Sequence, residues 1–440
     1  MMIKHNFQIL FILRLIGVIS LITGILCVLV VGIGNILPTT MIVAETRLPE
    51  VDTYLVLFDV HRNLSIYFSL PVQNAGEIIP SPNKRRFITI TYDIDEIRSF
   101  VAWDIFTGYM IYLEDIFSEC NIIAPNWSPD NRYITFSCES EQQGIFMEKV
   151  YMLDFETSEL SLLSSSEGLY IAYARWSPDL RHIILETSNN KLTIVKIDSL
   201  EEQIITPNDE KQNFLSWIDN GASILIYDSK AIKKYTFATN SWSVLLDDFS
   251  FQKSPVLSPN GEWIAIISNW SAYIFHIPTY ELVMLSSLEY EINLVEDIFW
   301  SPDNQWLLIR CDGDYSPNSN IYYLVKLDTS VVTVLGEYIQ LFPTWVFDIQ
   351  LWSSNSEWIS YNIYSANKRY IVKQNELTGL YEPYHIINGD IQQAEWSPNN
   401  DGLAFIYQGA IRQLAYWTPS NEIRLLNHPT ETVIKFGFVK

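Results

Sequence analysis

Eight times along the chain a Trp or apolar residue runs into a Ser-Pro-Asp/Asn-like turn, and a short β-branched strand follows. Trp127-Ser128-Pro129-Asp130, Trp176-Ser177-Pro178-Asp179 and Trp300-Ser301-Pro302-Asp303 are the clean copies. Trp396-Ser397-Pro398-Asn399 differs by one residue. Leu257-Ser258-Pro259-Asn260 and Pro80-Ser81-Pro82-Asn83 lack the indole, Trp352-Ser353-Ser354-Asn355 lacks the proline, and Trp217-Ile218-Asp219-Asn220 is degenerate. The second residues of these turns are spaced 47, 49, 41, 40, 43, 52 and 44 residues apart. A period in this range predicts a ring of four-stranded units, an all-β propeller.

The repeat follows from turn and strand chemistry. Proline presets φ for the second turn position, Ser closes the turn from the first, and Asp or Asn suits the third. Arg132-Tyr133-Ile134-Thr135-Phe136 and Glu262-Trp263-Ile264-Ala265-Ile266 then alternate with the period of two expected of a half-buried strand. A second hairpin closes each unit, as at 150–163 through Glu156-Thr157-Ser158 and at 322–335 through Asp328-Thr329-Ser330. The recurring Trp is expected to wedge between neighbouring units, where burying about 200 Å² of indole is worth at most ~5 kcal/mol.

These units resemble the WD-like repeats of the TolB and oligopeptidase-type propellers, whose hallmark is Trp-Ser-Pro-Asp-Gly before an Ile-rich strand. The resemblance covers residues 54–440 and implies a binding scaffold or an enzyme. The chain departs from both groups. It has only a short linker where TolB proteins carry a folded domain, and no room for the α/β-hydrolase domain of the oligopeptidases. Eight marker turns predict eight blades. Segments 54–60 and 64–70 form an extra hairpin before the first marker, and 433–438 is a lone strand after the last unit. These leftovers are expected to join and close the ring; as a separate blade they would make nine, and merging the Trp217 unit with a neighbour would leave seven.

Residues 15–37 form an uncharged, mostly apolar run of 23 residues, long enough for a transmembrane helix across ~30 Å of hydrocarbon. Lys4 and Arg14 precede it, in a short tail of residues 1–14, so the positive side stays cytoplasmic and the propeller faces the extracytoplasmic side. A signal peptide cleaved near Ala44 is the competing reading, but its apolar core runs only about 7–15 residues. Residues 38–53 read as a linker, and removing 1–44 is expected to leave a folded, β-rich domain.

With 51 acidic against 28 basic residues the net charge is −23, which repels phosphates and excludes nucleic acid as a partner. Among four cysteines, Cys120 and Cys138 flank the turn at 128–131 almost symmetrically and are candidates for a disulfide. The six His residues show no ligand spacing, and no Gly-x-Ser-x-Gly elbow or phosphate loop occurs. No cofactor is indicated, except that Asp312 and Asp314, in the oxygen-rich stretch 312–320, are candidate calcium ligands. The connection 336–348 carries Tyr338, Phe342, Trp345 and Phe347, an aromatic set suited to a protein or glycan contact. The expected function is therefore a membrane-anchored, non-catalytic platform for a protein or envelope component. The rival is a hydrolase or lyase acting on a glycan or peptide through acidic residues in the central channel. A ligand sensor is a third reading, disfavoured by a cytoplasmic tail of 14 residues.

Overall fold

The computed structural model describes residues 41–439 apart from 48–52, 62–63, 70–74, 93–97, 114–120, 143–144, 168–170, 188–190, 206–211, 286–293, 313–319, 328–331, 337–351, 364–367, 374–384, 389, 409–410, 421 and 428–431. The chain is a β-propeller; the described residues form nine antiparallel sheets, eight of four strands and one of three. We number the sheets as blades 1 to 9 in chain order. Within blades 2 to 9 the chain runs from first strand to last, and the first strands of neighbouring blades touch at the centre. Last strands form the rim, where Ile204 of blade 4 and Leu425 of blade 9 stand exposed.

Blade 1 explains why the count is nine and not the expected eight. Its order, from the centre outward, is Thr432–Val439, Met41–Arg47, Thr53–Asp59 and Leu64–Ser69. The leftover strands do join, as anticipated, but they build a whole extra blade. Because its first strand comes from the C-terminal end and its second from the N-terminal end, this blade has no turn between them and hence no marker to count. Met41–Arg47, which the sequence assigned to a linker, is a strand between two partners, with Ile42 opposite both Phe58 and Phe438. A cut after residue 44 would therefore divide a central strand. Residues 15–37 lie outside the described residues; among those described, no helix is long and apolar enough to cross a membrane.

Packing runs from blade to blade around the ring. Ile42, Val56 and Phe58 of blade 1 meet Ala404, Ile406 and Tyr416 of blade 9, while Val43, Leu55 and Leu57 meet Phe87 and Trp103 of blade 2. The marker Trp residues are wedges between blades. Trp127, Trp176, Trp300, Trp352 and Trp396 are all buried. Trp300 packs on Ala265 and Ile274 of the preceding blade and donates its Nε1–H to the Val256 carbonyl at 3.1 Å. Trp127 does the same to Ile79, at 3.3 Å.

Six of the marker turns, those of Ser81, Ser128, Ser177, Ser258, Ser301 and Ser353, share one internal geometry. The Ser hydroxyl bonds the Asp or Asn two residues on, as in Ser177–Asp179 at 2.7 Å, and accepts a backbone N–H five residues on, as from His182 at 2.9 Å. The residue after the Asp or Asn is left-handed, with φ of 67° at Asn131, 63° at Asn304 and 59° at Asn400. Asn tolerates this region, and here it has a second use. Its side-chain oxygen accepts the N–H of the preceding blade's turn: Asn83 to Asn131, Asn260 to Asn304 and Asn355 to Asn400, at 2.8–3.0 Å. Asp303 makes the same bond to Ser356, which joins blades 7 and 8.

Candidate binding notch between blades 5, 6 and 7

Turns on one face of the ring carry the markers; the opposite face carries the links between second and third strands and the connections between blades. Seven first strands bear a bulge near their start on that opposite face, skipping Gly76, Ala172, Leu215, Glu296, Gln392, Ile434 and the pair Ala124-Pro125. A bulge re-aims side chains at a sheet edge. In blade 7 it lets the consecutive residues Glu296 and Asp297 both clamp Arg310 on the second strand, Glu296 at 3.0 Å.

Blade 6 departs from this plan. Its first strand is only Val256–Leu257, where other described first strands run six to eight residues. The chain at 247–255 instead loops outward, held by the Phe249 N–H to the Lys230 carbonyl (2.9 Å) and the Gln252 N–H to the Ile267 carbonyl (3.0 Å). The missing rungs leave a cavity of about 1450 Å³. Its wall is formed by Tyr227, Lys233, Phe251, Lys253, Asp297 and Phe299.

Four of the six charged side chains lining this notch form two ion pairs. Lys233 meets Asp228 at 2.7 Å, and Lys253 meets Asp297 at 3.0 Å. Burial alone would raise the Asp228 pKa, but hydrogen bonds from Lys233 and from the Lys230 and Ala231 N–H groups outweigh it and hold it below the ordinary carboxylate range. A general acid at neutral pH needs the opposite shift. The aromatic side is built by Phe251, edge-on to Tyr227 at 6.1 Å, with the Tyr227 hydroxyl tied to Ser254 at 2.6 Å. Beside it the two-residue turn Asn269-Trp270 joins the second and third strands of blade 6, with φ of 49° and 61°. This is the type I′ hairpin geometry that favours Asn-Gly. Trp stands in the glycine position, 53% exposed, with its N–H held by the Gln252 side chain at 2.5 Å.

None of these residues was singled out in the sequence. A Trp directly after Asn269 between two alternating strands was the available signal. Of the residues that were, Tyr338, Phe342, Trp345 and Phe347 lie outside the described residues, as do Cys120 and Asp314. Asp312 ends the second strand of blade 7, opposite Asn320. Among the described residues no three His, Cys, Asp or Glu side chains are grouped to hold a metal. Cys138, opposite Ile122, is disulfide-bonded, and Cys311 is free and buried.

No protein-family model matches the chain, and no curated protein matches it. Solved structures do. The crystal structure of the eukaryotic initiation factor is similar over 91% of this chain and 98% of its own, with 12% identity and a TM-score of 0.61. Dipeptidyl peptidase 4 of Porphyromonas gingivalis is similar over 81% of this chain at 14% identity and a TM-score of 0.53, and the match spans 60% of the peptidase. TolB of Acinetobacter baumannii is similar over 70% of this chain and 83% of its own, at 13% identity and a TM-score of 0.30. At these identities the likeness is one of fold alone: the chain is a β-propeller, a fold that fits a binding protein and an enzyme alike.

Proposed function

We propose that the chain is a non-catalytic binding platform and that the notch between blades 5, 6 and 7 is its contact face. The observation that carries this reading is the combination of paired charges with a presented aromatic. Lys233 and Lys253 are engaged by Asp228 and Asp297, while Trp270 is held outward on a backbone conformation that costs an L-residue about 1 kcal/mol. An exposed Trp beside half-buried aromatic and charged groups is the composition of an interface hot spot. The partner in this reading is a protein or envelope component, and the aromatic residues Tyr338, Phe342, Trp345 and Phe347 are a second candidate contact. Residues 15–37 would anchor the ring to the membrane with the propeller outside, and Cys120 would be the partner of Cys138.

Covalent crosslinking of the full-length protein in its native membrane, followed by mass spectrometry of what is recovered, tests the reading. A reproducible partner whose yield drops at least five-fold in Trp270→Ala and Phe251→Ala supports it. A partner recovered equally with both variants sinks the assignment of the notch.

A further inference from the structure

A second cavity, of about 540 Å³, lies on the opposite face between the marker turns of blades 4 and 5. Its origin is readable in the repeat. After the left-handed residue, most turns place two large side chains: Arg85-Arg86, Arg132-Tyr133, Arg181-His182, Glu262-Trp263, Gln305-Trp306 and Glu357-Trp358. In the degenerate turn of blade 5 these positions are Ala222 and Ser223, preceded by Gly221 with φ of 92°. A Cβ at Gly221 would stand 2.7 Å from the Asp179 carboxylate, so blade 4 closes tightly on this turn at its base. Above that contact the space that Arg and Tyr fill elsewhere is open.

The walls of this hollow are polar but electrically balanced. Lys196 is paired with Glu201 at 2.9 Å, and Arg181 lies 3.8 Å from Asp179. Two cations and two anions cancel, so neither an anionic nor a cationic ligand gains from entering. What remains is a set of neutral donors and acceptors. The Gln203 carboxamide donates to Asn240 at 2.9 Å and to the Tyr235 hydroxyl at 3.4 Å, and that hydroxyl also bonds Asn240. One flat side is apolar, made by Phe237 and by the His182 ring stacked on it at 4.4 Å and 8°. The Nδ1 of His182 is buried there without a hydrogen-bond partner.

We infer that the hollow between blades 4 and 5 binds a neutral, polyhydroxylated ligand, a sugar unit of a glycan. Vicinal hydroxyls match the carboxamides of Gln203 and Asn240 and the Asp179 carboxylate, each of which can take two bonds in one plane. The C–H face of a pyranose suits the Phe237 wall, and the volume lies in the range of small-ligand sites.

Saturation-transfer NMR on the full-length chain with methyl α-glucoside, methyl β-galactoside and N-acetylglucosamine tests this. The expected result is saturable contact with at least one of them, at a dissociation constant on the order of 1 mM, as for a weak single-unit site. Ala222→Arg installs the side chain that blades 2, 3 and 4 carry at this position and fills the hollow; it should weaken binding at least ten-fold. Asn240→Gly keeps the left-handed turn (φ 50°) but removes the carboxamide, and should weaken binding several-fold. Leu425→Ala, on the rim of blade 9 and outside both cavities, should leave it unchanged. Absence of saturable contact with all three sugars overturns the inference, and so does undiminished binding by folded Ala222→Arg.

Discussion

The seam between blades 1 and 9 is bridged by a lysine that reaches across a strand, and Gly437 leaves the space for it. Lys84, in the marker turn of blade 2, passes over the first strand of blade 1 to pair with Glu395 on the first strand of blade 9 at 3.0 Å. The two side chains are only 19% and 12% exposed. A Cβ on Gly437 would lie 2.4 Å from the Lys84 Nζ and 3.1 Å from its Cε. Gly437→Ala must therefore displace the ammonium and leave the Glu395 carboxylate poorly hydrated and unpaired. Breaking a fully buried pair costs about 3–5 kcal/mol and a surface pair about 0–1, so this intermediate one is expected to cost about 2 kcal/mol. With an unfolding entropy near 2.1 cal/mol/K per residue over some 390 residues, that is a drop of about 2–3 °C in Tm. Thermal melts followed by circular dichroism on Gly437→Ala, Lys84→Met and the double variant give a cycle. The two single changes should cost alike and the double no more than either, and Glu395→Gln should recover part of the loss in Gly437→Ala. Wild-type stability of Gly437→Ala, or additivity in the double variant, would refute the passage.

Three other outcomes are expected. Deleting residues 1–40 should leave a cooperatively unfolding β-rich protein by circular dichroism, whereas deleting 1–47 removes the strand between two partners in blade 1 and should give an aggregated product. Burial pushes the Cys311 thiol up to about 12, so Ellman's reagent should titrate no reduced Cys311 in the native protein and one thiol more after denaturation. Acid should destabilise the ring in two stages. Burial lowers the His182 pKa below its usual 6.5, so stability present above that value is lost as pH falls below it, and His182→Phe should flatten this stage in urea melts. At Asp154 burial would raise the pKa, but the Arg132 side chain and the Glu156 and Thr157 N–H groups prevail and lower it; that stability is present above 3.8 and lost as pH falls through the depressed value. Asp154→Asn should shrink the second stage.

The repeat chemistry was legible because each marker turn is local. Ser, Pro and Asp or Asn act within six residues, and the Trp ahead of them is the largest apolar group near the centre, so turn and wedge both followed from one motif. The left-handed Asn was not read, since its partner is a turn some 45 residues away that only ring closure brings within reach. The ninth blade escaped for a topological reason: its first two strands are joined by no turn. Both cavities sit where the repeat fails, at a first strand of two residues in blade 6 and at Ala222-Ser223 in blade 5. A pattern search treats such places as noise, yet a ring of near-identical wedges can open a pocket only where one wedge is small or short.

The closing blade also sets an order of events. Met41 pairs with Val439, 398 residues later in the chain, while strands inside the other described blades are joined by short links. Relative to a ten-residue hairpin, closing a loop of that length costs about 3 kcal/mol more in chain entropy. It also cannot occur until the last strand exists. Blades 2 to 9 can assemble by local pairing as they emerge, each offering its apolar face to the next. Through that whole interval Met41–Arg47 waits with one edge unpaired, and blades 1 and 9 stand as the two open ends of an arc. The time between synthesis of Asp59 and of Val439 is thus when the protein is most exposed to joining a second copy instead of itself.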